Sequence, residues 1–340
     1  MSENSTVLVT GASGFIGMHC ILQLLEQGYQ VKGTVRSAAK AEKLRQTLRP
    51  HSQHTHNLIF AEADLTSDAG WAEAMAGCNF VLHVASPLPT AEPKDENELI
   101  RPAVEGTRRV LQAAHQAGVR RVVQTSSVAA IVHGHEQEKV YDETDWTNLA
   151  NPVAAYPKSK TLAEKAAWEF VNQPEVTLEL ATINPSYVLG PVLDAQKTSA
   201  SAEVVLTILQ RKYPGVPRLN FAVVDVRDVA AAHLAAMITP EAAGKRFICS
   251  SENIWMRDMA QAINAKLGPQ GHKVNTRKLP DFLLRLVALF DPKVAMVVDN
   301  LGKVRQLSNQ QIKAVLHWQP RPAKEAVVAM AQSFIDLNAL

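Results

Sequence analysis

Along the first half of the chain, strand-length runs rich in Val, Leu and Ile alternate with longer segments whose apolar positions recur at helical spacing. The strand-like runs are Thr6–Thr10, Tyr29–Val35, Asn57–Ala61, Phe80–Val84, Arg120–Thr125 and Val176–Ile183. The helical ones are Phe15–Gln27, Ala38–Leu48, Ala69–Ala76, Pro102–Ala117 and Val153–Asn172. Strand runs without polar alternation are buried on both faces, which is the condition of strands in a parallel sheet. The order predicts an α/β fold, a doubly wound, mostly parallel sheet with helices on both faces.

After Asn184-Pro185 the rhythm breaks. Helices are predicted at Ala202–Gln210, Val226–Met237 and Met256–Leu267, with extended pieces at Asn220–Val224 and Arg246–Cys249. Residues 1–185 are thus expected to form the sheet domain, with returns to it from about 220–250, and 186–340 largely a smaller, mainly C-terminal substrate lobe. The apolar run Phe282–Phe290 contains Arg285 and is too short to span a bilayer, so a buried amphipathic helix is expected there.

Composition narrows the function classes. The 340 residues are 46% apolar and 20% charged, enough for a sizeable core and ordinary for a globular protein. With 35 basic and 33 acidic side chains the formal net charge is +2, so neither nucleic acid nor an anionic membrane is an expected partner. The pairs Arg108-Arg109 and Arg120-Arg121 read as polar helix or turn faces. Cys20, Cys78 and Cys249 are far apart and sit among apolar residues, which predicts free core thiols in a reducing compartment. Met1–Ser5 carries an acid and no basic cluster, so no secretory leader is predicted and the cytoplasm is the expected location. His51, His54 and His56 have no acid or thiol at ligand spacing, and no metal is expected.

Gly11-Ala12-Ser13-Gly14-Phe15-Ile16-Gly17 follows a strand and opens a helix, the context in which a glycine motif signals dinucleotide binding on a Rossmann-type sheet. Gly11 permits the turn, Gly14 the approach of a pyrophosphate and Gly17 close helix–sheet packing, while the first helical N–H groups face the phosphates. No Lys-Ser/Thr follows, which disfavours a nucleoside-triphosphate loop. The second strand ends in Lys32-Gly33-Thr34-Val35-Arg36-Ser37 without the carboxylate that usually holds the ribose diol of NAD. Arg36 can instead clasp a 2′-phosphate, with Lys40 or Lys43 adding charge, so NADP(H) is the expected cofactor. Asp64 and Leu65 are placed to meet the adenine, and Ala85 leaves room beside the cofactor.

The reacting end is predicted from two motifs. Thr125-Ser126-Ser127 closes the fifth strand, at the carboxyl edge where such sheets bind ligands. Tyr156 and Lys160 lie four apart, on one face of a helix. A cation beside a phenol favours phenolate, which predicts a lowered Tyr156 pKa and proton exchange with a substrate oxygen. No G-x-S-x-G elbow surrounds either serine, so covalent serine catalysis is disfavoured.

With these motifs the chain resembles an extended short-chain dehydrogenase/reductase of the dihydroflavonol reductase, cinnamoyl-CoA reductase and aldehyde reductase branch. The likeness also rests on Thr34-Val35-Arg36, Asp64-Leu65, His83-Val84-Ala85-Ser86-Pro87, Pro102–Thr107, Tyr156-Pro157-Lys158-Ser159-Lys160, Asn184-Pro185 and Val224–Ala230. It implies that Ser127, Tyr156 and Lys160 are catalytic and that Pro185 borders the nicotinamide. It further implies NADPH-dependent reduction of an aldehyde or ketone, by a monomer or homodimer. Flavonoid reductases of the branch commonly carry Asn or Asp five residues past the serine; Val132 stands there and cannot pair a substrate hydroxyl. Leu88, Ile131, Val132, Tyr187 and Phe221 are the expected pocket residues. Three alternatives are a sugar-nucleotide epimerase or dehydratase, a 3β-hydroxysteroid dehydrogenase-like enzyme, and a non-catalytic NADP-sensing regulator.

Overall fold

Val7, Leu8 and Val9 are wholly buried in the first strand, with parallel neighbours on both sides, as a run of aliphatic residues without a polar face requires. The computed structural model of the protein describes residues 5–87, 93–136, 139–194, 200–290, 298 and 300–340. Its strands are β1 (Thr6–Thr10), β2 (Gln30–Val35), β3 (Leu58–Glu62), β4 (Phe80–His83), β5 (Arg121–Thr125), β6 (Val140–Tyr141), β7 (Glu179–Pro185), β8 (Tyr187–Leu189), β9 (Asn220–Asp225), β10 (Lys245–Cys249) and β11 (Glu252–Trp255). The helices used below are α1 (Phe15–Glu26), α2 (Ala38–Leu48), α3 (Trp71–Met75), α4 (Asn97–Gln116), α5 (Ala155–Val171), α6 (Ala200–Leu209), α7 (Val226–Ile238), α8 (Met256–Leu267), α9 (Asp281–Val287), α10 (Gln310–Leu316) and α11 (Ala323–Asp336).

The chain divides into two units. The first comprises Met1–Ser186, Arg227–Cys249 and Ser308–Gln319. It holds a seven-stranded sheet in the order β10-β7-β5-β4-β1-β2-β3, every pair parallel. Strand order reverses between β1 and β4, the position at which doubly wound sheets take their ligands. One core cluster joins Leu8, Val81 and Val122 of the sheet to Val110, Leu111 and Ala114 of α4 and Ala167 and Phe170 of α5.

The second unit comprises Tyr187–Val226, Ser250–Leu307 and Pro320–Leu340. In its three-stranded sheet β9 lies between β11, antiparallel to it, and β8, parallel to it. The α11 helix packs on α6 and α8, its start fixed by Ala323 N donating to Glu252 Oε1 at 2.8 Å.

Three expectations are corrected. The α4 helix begins at Asn97, not at Pro102, which lies inside it. Asp95 Oδ1 accepts from Asn97 N at 2.9 Å and so starts the helix five residues early, leaving proline to interrupt a single bond. The run Phe282–Phe290 is not buried: α9 is a seven-residue helix with no buried residue, and Phe282 and Phe290 are 68% and 83% exposed. Its apolar residues ring a helix of only two turns, so one packed face cannot hide them all. Among the described residues no helix is long and apolar enough to cross a membrane.

The third correction concerns Arg121, which is 1% exposed and no polar face. Its guanidinium donates to the carbonyls of Ala236, Met237, Thr239 and Pro240 and pairs with Glu179 at 2.7 Å. A buried fork with five donors satisfies the open carbonyls at the end of α7 and ties the returning segment to β5. Arg121→Ala is expected to lower the unfolding free energy by about 3 kcal/mol, whereas Arg108→Ala, at an exposed ion pair, changes it by less than about 0.5 kcal/mol; urea unfolding of both compares them.

Candidate active site

The turn after β1 is shaped by backbone contacts that only glycine allows. Gly11 has φ of +65°, and a Cβ there would stand 2.9 Å from the backbone of Ala85, which follows β4. A Cβ on Gly17 would meet Gly11 O at 2.4 Å, so α1 lies directly against the turn. Gly14 N closes the turn onto Gly11 O at 2.8 Å. Gly14 is also the N-cap of α1, with no side-chain cap and no acid in the first turn. The amides after Ser13, at Phe15, Ile16 and Gly17, therefore open a helix whose dipole favours an anion. Thr10 Oγ1 accepts from Ala85 N at 3.0 Å and shares a hydrogen bond with His83 Nδ1 at 2.8 Å, locking β1 to β4 at this edge.

Arg36 lies exposed at the end of β2, with Lys40 and Lys43 on the following helix. Both Arg36 and Lys40 act electrostatically on Asp64. Hydrogen bonds from the Thr66 hydroxyl and amide hold the Asp64 carboxyl below its ordinary range, with Arg36 and Lys40 adding to the effect. The Asp64 carboxylate beside this corner is thus engaged by Thr66. Leu65 packs toward Gly106 of α4, and its carbonyl accepts from Arg109. Uncapped amides, a cradle a Cβ would fill and a cationic strand end suit a dinucleotide carrying an extra phosphate.

The reacting end gathers on β5, β7 and α5. Ser127, in extended backbone after β5, caps the turn Val128–Ala130 through Ala129 N at 3.1 Å. Tyr156, the second residue of α5, is hydrogen-bonded to Ser127. One turn on, Lys160 is buried and Nζ donates to Thr125 O at 3.4 Å. Pro185 ends β7, two strands from β4 in the sheet.

Electrostatics correct one expectation. The Tyr156 pKa is raised, because burial penalises phenolate more than the Ser127 hydrogen bond stabilises it. Burial pushes Lys160 down to about 8, with Glu164 opposing the fall. The phenol is held as an acid, and the ammonium is brought near neutrality.

The expected pocket residues are not treated alike. Leu88 lies outside the described residues. Ile131 has no exposed surface and Val132 has 6%; Val132 N donates to Val128 O at 3.0 Å, and Ile131 O is bonded by His135 Nε2. Tyr187 and Phe221 belong to the second unit, where their rings pack 4.7 Å apart. The site also contains residues that motif reading passed over. Glu164 is wholly buried on α5 among Ser126, Thr182, Asn184, Trp168 and Arg246. Its spacing of four from Lys160 was the available signal.

Residues 7–249 match the profile of the NAD dependent epimerase/dehydratase family. The chain is 37% identical over 267 residues to dihydroflavonol 4-reductase of Zea mays, covering 76% of this chain and 73% of that protein. It is 33% identical over 302 residues to the ketoreductase azaE of Aspergillus niger, covering 84% and 89%. The crystal structure of yeast methylglyoxal/isovaleraldehyde reductase Gre2 complexed with NADPH superposes with a TM-score of 0.81 at 28% identity, over 98% of this chain and 100% of that one.

His83 and His233 are buried and neutral, pushed by burial from an ordinary 6.5 down to about 3 and about 4. Their folded values lie below the unfolded one, so this stability is fully present above pH 6.5 and is lost as pH falls toward 4. Between pH 6 and 5 the unfolding free energy is expected to drop by up to about 2.7 kcal/mol. Urea unfolding across that range measures it; an unchanged slope in His233→Asn would refute the assignment.

Proposed function

The chain belongs to the NAD dependent epimerase/dehydratase family, and from that premise we propose that it is an NADPH-dependent reductase of aldehydes or ketones, working reversibly with Tyr156 as the acid. The observation that carries the reading is the Tyr156 phenol, hydrogen-bonded to Ser127 and kept protonated by burial, on the helix that also buries Lys160. The yeast structure in complex with NADPH and the azaE ketoreductase support the cofactor and the reaction class.

The Gly11–Gly17 turn and the start of α1 hold the pyrophosphate, Arg36 with Lys43 the 2′-phosphate, Asp64 and Leu65 the adenine side, and Ala85 and Pro185 border the nicotinamide. When bound, NADPH supplies hydride to the carbonyl carbon. The Ser127 hydroxyl positions the carbonyl oxygen, and Tyr156 gives its proton to the oxygen as negative charge develops there. A phenol that burial keeps protonated is the form reduction consumes. Lys160, with a pKa of about 8, can return a proton to the phenolate near neutral pH. Val132 presents no hydrogen-bond partner, which favours an aliphatic or aryl carbonyl over a polyhydroxylated flavonoid. The second unit, with Tyr187 and Phe221, is assigned to substrate binding.

A panel of aldehydes and ketones followed at 340 nm with NADPH and NADH tests this reading. Tyr156→Phe is expected to lower turnover about a thousandfold while NADPH still binds, and unchanged turnover would remove Tyr156 from the chemistry. Arg36→Ala is expected to weaken NADPH roughly 10- to 100-fold and NADH hardly at all; equal losses would dismiss the phosphate clasp.

A further inference from the structure

We infer that Glu164 is a positioning residue for this reaction, anchoring the Lys160 ammonium electrostatically and fixing the strand end that presents Ser127. The inference rests on the proposed carbonyl reduction and extends it to a residue one helical turn behind the reacting groups.

Glu164 has no exposed surface, and both of its oxygens are engaged. Oε1 accepts from Arg246 Nε at 2.6 Å and from Trp168 Nε1 at 3.4 Å, and Thr182 Oγ1 lies 3.1 Å away. Oε2 accepts from Ser126 Oγ and from Asn184 Nδ2 at 2.8 Å. Asn184 Nδ2 also donates to Ser127 O at 3.2 Å. The carboxylate therefore reaches both residues of the serine pair, Ser126 directly and Ser127 through Asn184.

Its second action is on charge. Glu164 follows Lys160 by four residues on the same helix face and is the group that favours the Lys160 cation against burial. Among the described residues, the other groups shown to act with Lys160 are the Thr125 carbonyl and the His83 ring, which burial keeps neutral. Among the described residues the cation directly bonded to Glu164 is Arg246, with Glu143 beyond it accepting from Ile248 N. Arg246 has further support, donating to Glu143 O and Asp145 O at 2.7 Å each and stacking on Trp146 at 3.7 Å. A wholly structural ion pair would need no particular relation to Lys160, and replacing such a pair by apolar residues is often neutral.

Glu164→Gln and Arg246→Gln make opposite changes and separate the roles. Removing the anion should destabilise the ammonium, so Lys160 titrates roughly one pH unit lower. Removing the competing cation should leave the anion unshared, so Lys160 titrates higher. The midpoint is read by NMR of protein labelled at lysine 13Cε, with the Lys160 resonance identified by its loss in Lys160→Met. The alkaline limb of kcat for carbonyl reduction should move with it in each variant, with KM for NADPH within twofold. An unmoved Lys160 midpoint in folded Glu164→Gln overturns the inference. If that variant does not fold, the upward movement in Arg246→Gln decides, and its absence overturns the inference equally. A wild-type protein that reduces no carbonyl would defeat the proposed reaction, while the Lys160 titrations would still decide the hold of Glu164.

Discussion

A carboxylate with no exposed surface is a severe constraint, because removing it from water costs several kcal/mol unless its oxygens are fully paired. Glu164 meets this with donors from three strands or their ends: Ser126 past β5, Thr182 and Asn184 on β7, and Arg246 on β10. These three strands are adjacent in the sheet. The depth and rotation of α5 are thereby set against the edge where chemistry is proposed. Tyr156, Lys160, Glu164 and Trp168 follow at intervals of four, so fixing one member of the stripe aims the others. Burial of Tyr156 and Lys160, which determines their protonation, follows from the same docking.

The two ends of the site are built by different means. At the nucleotide end the contacts are of backbone with backbone: Gly11 against Ala85, Gly17 against Gly11, amides left open at the start of α1. The side chains that help there are the hydroxyls of Thr10 and Thr34, which bind backbone amides of Ala85 and Gly11. At the reacting end the backbone forms ordinary strand and helix, and a connected polar network gives the position its properties. A glycine turn tolerates almost no substitution for steric reasons. The polar network is sensitive for another reason, since any member left unpaired in a low-dielectric interior costs more than its bond contributes.

This division explains what was legible from the chain. The parallel sheet, its first five strands and the glycine turn follow from local pattern, because apolar runs and glycine spacing are themselves the cause of those structures. Ser127, Tyr156 and Lys160 were readable as a spacing on a strand end and a helix. Their electrostatics were not, because a pKa depends on depth of burial, and Tyr156 moved opposite to the direction a cation four residues away suggests. Arg121 read as a polar face and Arg246 only as the start of an extended piece, and their partners are 115 and 82 residues away in sequence, at Ala236 and Glu164. The return of residues 308–319 to the first unit was equally hidden: Gln311 donates to Arg246 O and Trp318 to Asp228 O, contacts that leave no periodic trace.

The upward movement of Tyr156 changes how the Tyr–Lys spacing should be understood. If the ammonium stabilised phenolate strongly, the resting site would hold a base and favour alcohol oxidation. With burial dominant the resting phenol is an acid, suited to a substrate oxygen that becomes basic only as hydride arrives. In the proposed reaction Lys160 would act after the transfer: burial lowers its pKa to about 8, so the ammonium gives up its proton more readily than an exposed one. In the inferred arrangement Glu164 limits how far that readiness goes, since it favours the Lys160 cation against the same burial. On the proposed reading, one helix face carries the acid, its source of protons and the charge that favours that source.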